Sequence, residues 1–248
     1  MTLRIFSDLN DLSSGATERI LVLLKRAISE RGEFHIALAG GTTPRQLYQR
    51  LGSPRFADHI PWEKIHLYFG DERSVPPDHP DSNYRMVQES LISRVPFAKE
   101  HIHRIHGEMP DLSQAARDYA MTLQTNLPKS PCGQVQFDLV LLGMGNDGHV
   151  ASLFPDTPIL RQYNALVDTV HVAKLDAWRI SITFPVIDNA RNIMILVSGD
   201  QKADIVRRVF SNTSSADLPV QMIKPKGQCE WYLDNAAAQL LPESSRQP

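Results

Sequence analysis

The apolar positions of the chain fall into short, near-continuous runs separated by segments with a 3.6-residue repeat. Runs of strand length stand at 34–40 (FHIALAG), 64–70 (KIHLYFG), 137–143 (FDLVLLG), 178–184 (WRISITF) and 192–199 (NIMILVSG). Between and around them, 13–31, 44–51, 82–94, 112–126 and 200–210 carry helical periodicity, the first with Ser13 or Ser14 as its cap and Gly32 as its stop. A strand with one wet face alternates apolar and polar residues, whereas a strand covered on both faces does not. These runs therefore predict an α/β fold with a mostly parallel sheet flanked by helices on both faces. Proline and glycine clusters at 52–61, 74–80, 127–133 and 155–158 have the length of loops, and none reads as an interdomain linker. Residues 1–248 are thus expected to form a single α/β domain, with the polar PESSRQP at the end expected to fray.

Composition narrows the range of partners. A formal charge of −2 over 248 residues, with no basic block, gives no electrostatic footprint for nucleic acid or an anionic membrane. No stretch approaches the roughly 20 apolar residues of a membrane span, and the first 20 residues lack a signal peptide, so a cytoplasmic protein with a small-molecule partner is expected. Cys132 and Cys229 stand alone, without the spacing of a disulfide framework or a zinc site.

Ligands of an open parallel sheet bind beyond the carboxyl ends of its strands, so the residues following each run carry the chemistry. After the first run comes LAGGTTPRQLY. Gly40 and Gly41 permit a tight turn, and Thr42 or Thr43 can cap a helix whose first turn holds Pro44. Amides and hydroxyls at a helix N-terminus suit phosphate, although a well-capped turn without a ligand has the same sequence signature. After the second run stand Asp71, Glu72 and Arg73, which read either as part of a site or as a solvated charge cluster. After the third, Gly143, Gly145 and Gly148 let Asp147 and His149 turn back over the sheet edge, and imidazole is the side chain suited to act as a base near neutral pH. Arg179 begins an apolar strand, where an unpaired guanidinium demands an anion. Lys202 opens a helix against the macrodipole, a placement that a bound anion would offset and that a surface lysine would also show. HIHRIHG (101–107) brings three histidines together without a cysteine or an HExxH arrangement. It reads as a surface strand end, with no metal expected.

Taken together, AGGTTPRQLY, GDERSVPPDHPDSNY, LLGMGNDGHVASLFP, SGDQKA and WYLDNAAA resemble the 6-phosphogluconolactonase family over nearly the whole chain. The wider group includes glucosamine-6-phosphate deaminase and shares a Rossmann-like fold. The deaminase branch has Asp-Glu-Tyr where this chain has Asp71-Glu72-Arg73, and a ring-opening glutamate where it has Phe154. Ala39, Thr42, Asn146 and Val150 depart from common lactonase wording while keeping the glycines and a hydroxyl.

The resemblance implies hydrolysis of 6-phospho-D-glucono-1,5-lactone to 6-phosphogluconate, the second step of the oxidative pentose phosphate pathway, without a cofactor. His149 would take a proton from the attacking water and Asp147 would orient the loop or the imidazole. Asp71 and Arg73 would position the sugar and its carbonyl, while Gly40, Gly41, Thr42, Thr43, Arg179 and Lys202 would hold the phosphate. Monomer and homodimer both remain open. A deaminase or sugar-phosphate isomerase would need an acid where Phe154 stands. A non-catalytic phosphosugar-sensing domain would carry a helix-turn-helix for which neither terminus has room or basic character.

Overall fold

The computed structural model describes residues 1–211 and 218–242; the expected fraying of PESSRQP falls, beyond Pro242, outside them. The first half of the chain runs β1 (Thr2–Phe6), α1 (Leu9–Arg31), β2 (Phe34–Leu38), α2 (Thr42–Leu51), α3 (Pro54–Ala57), β3 (Ile65–Phe69), β4 (Asp71–Arg73), α4 (Asn83–Ser90), β5 (Ile102–His103) and α5 (Leu112–Asn126). The second half runs β6 (Leu139–Gly143), β7 (Val167–Val172), β8 (Ala177–Ile182), α6 (Phe184–Asp188), β9 (Asn192–Val197), α7 (Ala203–Phe210), β10 (Gln228–Asp234) and α8 (Asn235–Ala238).

Seven strands form a parallel sheet in the order β1-β10-β9-β6-β2-β3-β5. All five residues of β2 are buried, as are all but the first of β9 and all but the last of β6, so helices cover both faces of the sheet centre. The α/β, mostly parallel architecture is the expected one. One run lies elsewhere: β8, expected in the parallel sheet, pairs antiparallel with β4 and β7 in a separate three-stranded sheet. Its apolar residues Ile180 and Ile182 are fully buried, and a short apolar run does not reveal the direction of its neighbours.

Gly70 joins the two sheets. Its N–H donates to the Leu38 carbonyl at 2.9 Å, extending the β2–β3 ladder, and its carbonyl accepts the Ile182 N–H at 2.9 Å from the small sheet. Strands β1, β7 and β10 lie outside the apolar runs, because Thr2, Asp168 and Glu230 interrupt their hydrophobic pattern.

Helix α1 begins earlier than its periodicity shows. Asp8, not Ser13 or Ser14, is the N-cap, and its carboxylate accepts the Asp11 N–H at 2.9 Å. Ser13 is fully buried with its hydroxyl unpartnered among the described residues, and Ser14 Oγ accepts from Arg50 at 2.9 Å. Gly32 ends the helix in the left-handed conformation, φ +87°, as expected.

The cap assignment makes a discriminating prediction. Asp8→Ala should lower stability by about 1 kcal/mol in urea unfolding, the usual loss for an N-cap. Ser13→Ala, which deletes an unsatisfied buried hydroxyl, should cost nothing or add stability. The reverse pattern would return the cap to the serine.

Candidate active site

At the carboxyl ends of β2, β3, β6 and β9 the chain leaves two adjoining hollows of about 240 and 550 Å³. Asp71, Arg73, Gly145, His149, Ala151 and Lys202 line both. The segment Gly40–Pro44 and Ser198 line the first; Asp147, Phe154, Lys174 and Arg179 line the second. Every site residue expected from the sequence therefore faces one continuous cleft. The phosphate set is divided, with the glycine-threonine segment in the first hollow, Arg179 in the second, and Lys202 common to both.

The Gly40–Thr43 segment is held from behind. Tyr48, fully buried on α2, donates to the Ala39 carbonyl at 2.8 Å and accepts the Ala39 N–H at 2.9 Å, fixing the helix against the end of β2. Gly41 is the N-cap of α2 and makes no side-chain cap bond. Thr42 and Thr43 thus lie in the first helical turn and do not cap it, in contrast to the sequence expectation. The first-turn amides consequently have no side-chain oxygen spent on them.

The loop after β6 aims the histidine. Gly148 lies at φ +78°, donating its N–H to the Gly145 carbonyl at 3.0 Å, and the Gly145 N–H returns to the His149 carbonyl at 2.9 Å. A Cβ at Gly145 would overlap the His149 ring, so only glycine admits this closure. His149 Nδ1 lies 2.5 Å from Asp147 Oδ1, and the imidazole stacks on Phe154 with ring centroids 4.0 Å apart. Lys174 binds the other carboxylate oxygen of Asp147 and sits over the Phe154 ring. Burial alone would raise the Asp147 carboxyl, but the hydrogen bonds from His149 and Lys174 hold it well below the usual carboxylate range. Ala151, just beyond the histidine, takes a left-handed φ of +47°, a strained conformation within the cleft wall.

Asp71 is buried and accepts from Asn83 Nδ2 at 3.1 Å and from Ser152 Oγ at 2.6 Å. Ser152 is thereby committed as a donor within a buried network and offers no nucleophile. Glu72 plays a purely architectural part. Its carboxylate accepts the backbone N–H groups of Arg73, Asn83 and Tyr84, each at 2.8 Å, and the Ser82 hydroxyl, gathering the start of α4 behind the site. Burial pushes the Glu72 carboxyl up against these bonds.

Arg73 and Arg179 are register partners across β4 and β8. One Arg73 nitrogen donates to the Asp81 carbonyl at 2.7 Å, while its Nε is buried without a partner among the described residues. Burial and the adjacent Arg73 guanidinium both pull the Arg179 pKa down. Burial likewise pulls the Lys202 ammonium down, against the attraction of Asp147. Two neighbouring guanidiniums and a half-buried ammonium, without carboxylate partners at salt-bridge distance among the described residues, form a field that an anion would neutralise.

Asn83, Ser152, Tyr48 and Lys174 support the site but carried no periodicity or spacing signal. Asp234 supports it through WYLDNAAA: it caps α8 through the Ala237 N–H at 2.8 Å and binds Ser198 Oγ and the Gly199 N–H, fixing the turn that leads to Lys202.

The family model described as glucosamine-6-phosphate isomerases/6-phosphogluconolactonase matches residues 7–231. The chain belongs to that family. It is 38% identical over 238 residues to a 6-phosphogluconolactonase of Nostoc sp., covering 95% of this chain and 96% of the relative. Two solved structures superpose with a TM-score of 0.87. One is the devB protein, 34% identical and covering 97% of this chain and 99% of its own. The other is 6-phosphogluconolactonase from Trypanosoma brucei, 26% identical, with coverages of 97% and 98%. The buried Phe154 ring packs face to face on His149, so this position offers no carboxylate beside the imidazole.

The lowered Asp147 carboxyl predicts a pH signature. A carboxyl whose folded pKa lies below its unfolded value of about 4 contributes stability above that pH and loses it as pH falls. The difference in melting temperature between the native chain and Asp147→Asn should therefore shrink as pH is lowered from 5 to 2. A constant difference would show that the ion pairs of Asp147 add nothing to the folded state.

Proposed function

We propose that the chain hydrolyses 6-phospho-D-glucono-1,5-lactone to 6-phosphogluconate, the lactone-opening step of the oxidative pentose phosphate pathway. The observation that carries this reading is the His149–Asp147 pair over a cleft where Arg73, Arg179 and Lys202 have no carboxylate at salt-bridge distance among the described residues, with Phe154 where an acid would be needed for ring opening. Whole-chain similarity to named 6-phosphogluconolactonases supports it.

With Nδ1–H donated to Asp147, His149 presents Nε2 as a lone pair. That nitrogen takes a proton from water as the water oxygen attacks the lactone carbonyl, then passes the proton to the ring oxygen as the C–O bond breaks. Lys174, paired with Asp147, helps keep this carboxylate charged and the imidazole oriented. Arg73, held by the Asp81 carbonyl, stabilises the developing oxyanion, and Asp71 anchors the wall on which Arg73 stands and contacts the sugar hydroxyls. The phosphate rests on the backbone amides of Gly40, Gly41, Thr42 and Thr43 and the two threonine hydroxyls, with Lys202, and Arg179 reaches it from the adjoining hollow.

Lactone generated in place by glucose-6-phosphate dehydrogenase, with 6-phosphogluconate followed against spontaneous hydrolysis, tests the activity. His149→Ala should lower kcat by roughly 10²- to 10⁴-fold, the range for a lost general base. Near-native turnover would remove His149 from the mechanism.

The phosphate reading is tested separately. Hydrogen bonds to a charged group contribute about 1.5–3 kcal/mol, so Lys202→Ala and Arg179→Ala should each weaken binding of the phosphorylated lactone by roughly one to two decades. Both variants should handle unphosphorylated gluconolactone as the native chain does. Native affinity for the phosphorylated lactone in either variant would exclude that cation from the phosphate site.

A further inference from the structure

At the amino-terminal ends of β2 and β3, remote from the cleft, the fold gathers a second set of chemically capable side chains. His35 and His66 are register neighbours on the two strands, their rings stacked with centroids 4.7 Å apart. Glu33, the residue just before β2, places Oε2 3.3 Å from His35 Nε2 and 3.6 Å from His66 Nε2. The three ligand atoms lie within 4.8 Å of one another. From this geometry we propose that Glu33, His35 and His66 bind a divalent transition-metal ion of the zinc class, with water completing its coordination.

The separations favour an ion over direct hydrogen bonds. Zinc takes imidazole nitrogen and carboxylate oxygen at about 2.0–2.1 Å, so two ligand atoms on a tetrahedral ion stand roughly 3.3 Å apart. The His35 nitrogen–oxygen separation of 3.3 Å matches that edge length, and the His66 separation of 3.6 Å is slightly longer. His66 Nε2 is buried and lacks a hydrogen-bond partner among the described residues, which leaves a lone pair or an N–H unanswered.

The far nitrogens are already engaged. His35 Nδ1 lies 3.3 Å from the Tyr68 hydroxyl and His66 Nδ1 lies 3.2 Å from His103 Nε2, the kind of outer contact that fixes a metal-binding imidazole with Nε2 free. Nearby Arg31 is turned to Asp138 and Glu30, which answer its charge.

The site has an entrance, a surface hollow of about 230 Å³ lined by Arg31, Glu33, His35, Leu127 and Asp138. Two imidazoles and one carboxylate form a borderline donor set that suits zinc better than the oxygen-seeking calcium or magnesium. His101 and His103, from the segment the sequence read as a surface strand end, pack on His66 with centroids 4.0 and 5.5 Å away and form the outer wall. The ion would tie β2 to β3 at the end of the sheet opposite the cleft, a staple outside the hydrolytic machinery.

The test is zinc titration of the chelator-stripped full chain against a chromophoric competitor, with melting temperature recorded alongside. The native chain should bind one equivalent at micromolar zinc and melt higher when loaded. His149→Ala should do the same, which separates this site from the cleft. His66→Gln and Glu33→Gln should each weaken binding at least tenfold and lose the zinc-dependent rise in melting temperature. Glu33 is exposed, so its variant tests the site without disturbing the core. The proposal is overturned if the native chain binds no zinc at micromolar concentration, if both glutamine variants bind as the native chain does, or if His149→Ala alone abolishes binding.

Discussion

Gly70 holds the catalytic cleft together because its peptide groups belong to two sheets at once. Its N–H closes the last rung beside β2 and its carbonyl begins the small antiparallel sheet with Ile182. The residues that follow, Asp71 and Arg73, are thereby fixed at the end of a parallel strand and at the edge of an antiparallel one. Only that double membership brings Arg73 opposite Arg179 while keeping both beside the loops from β2 and β6. A purely parallel sheet would present its carboxyl ends to solvent; here the small sheet supplies the second wall.

The cleft concentrates cost. Arg73, Arg179 and Lys202 are partly desolvated cations, and the acids near them are committed elsewhere: Asp71 to Asn83 and Ser152, Asp147 to His149 and Lys174, Glu72 to backbone amides. Fixed carboxylates that could have paired with the cations are thus held in their own networks. In the proposed reaction an arriving phosphate and a developing oxyanion would meet donors that need little reorganisation, which is the main electrostatic advantage a folded site has over water. The stacked Phe154 covers one face of the imidazole with carbon and leaves its edge to the cleft.

Much of this was legible in the sequence because strand ends are punctuated. Near-continuous apolar runs located β2, β3, β6 and β9, and the glycines, charges and histidine directly after them mark the cleft. What escaped depends on distance along the chain. The run at 178–184 gives no sign that its partners are antiparallel, since Ile180 and Ile182 would be equally at home in either sheet. Ser13 and Ser14 looked like a helix start because the apolar stripe begins near them, but the cap is chosen by backbone geometry at Asp8. Asn83 and Ser152 reach Asp71 from 12 and 81 residues away, and polar residues at such separations leave no local pattern. His35 and His66 are further apart in sequence than HIHRIHG makes its own histidines, yet the parallel register of β2 and β3 stacks them.

The outer strand β1 has β10 as its neighbour, pairing Thr2–Phe6 with Glu230–Asp234. During synthesis the first strand therefore waits, its ladder unmet, while more than 220 residues emerge. Asp234, at the end of that late strand, also sets the turn leading to Lys202. Closing the edge of the sheet and finishing the anion site are consequently late events of one long-range step, the kind of distant pairing that slows folding and leaves an open edge exposed to aggregation. The site becomes competent only as the chain's two ends meet.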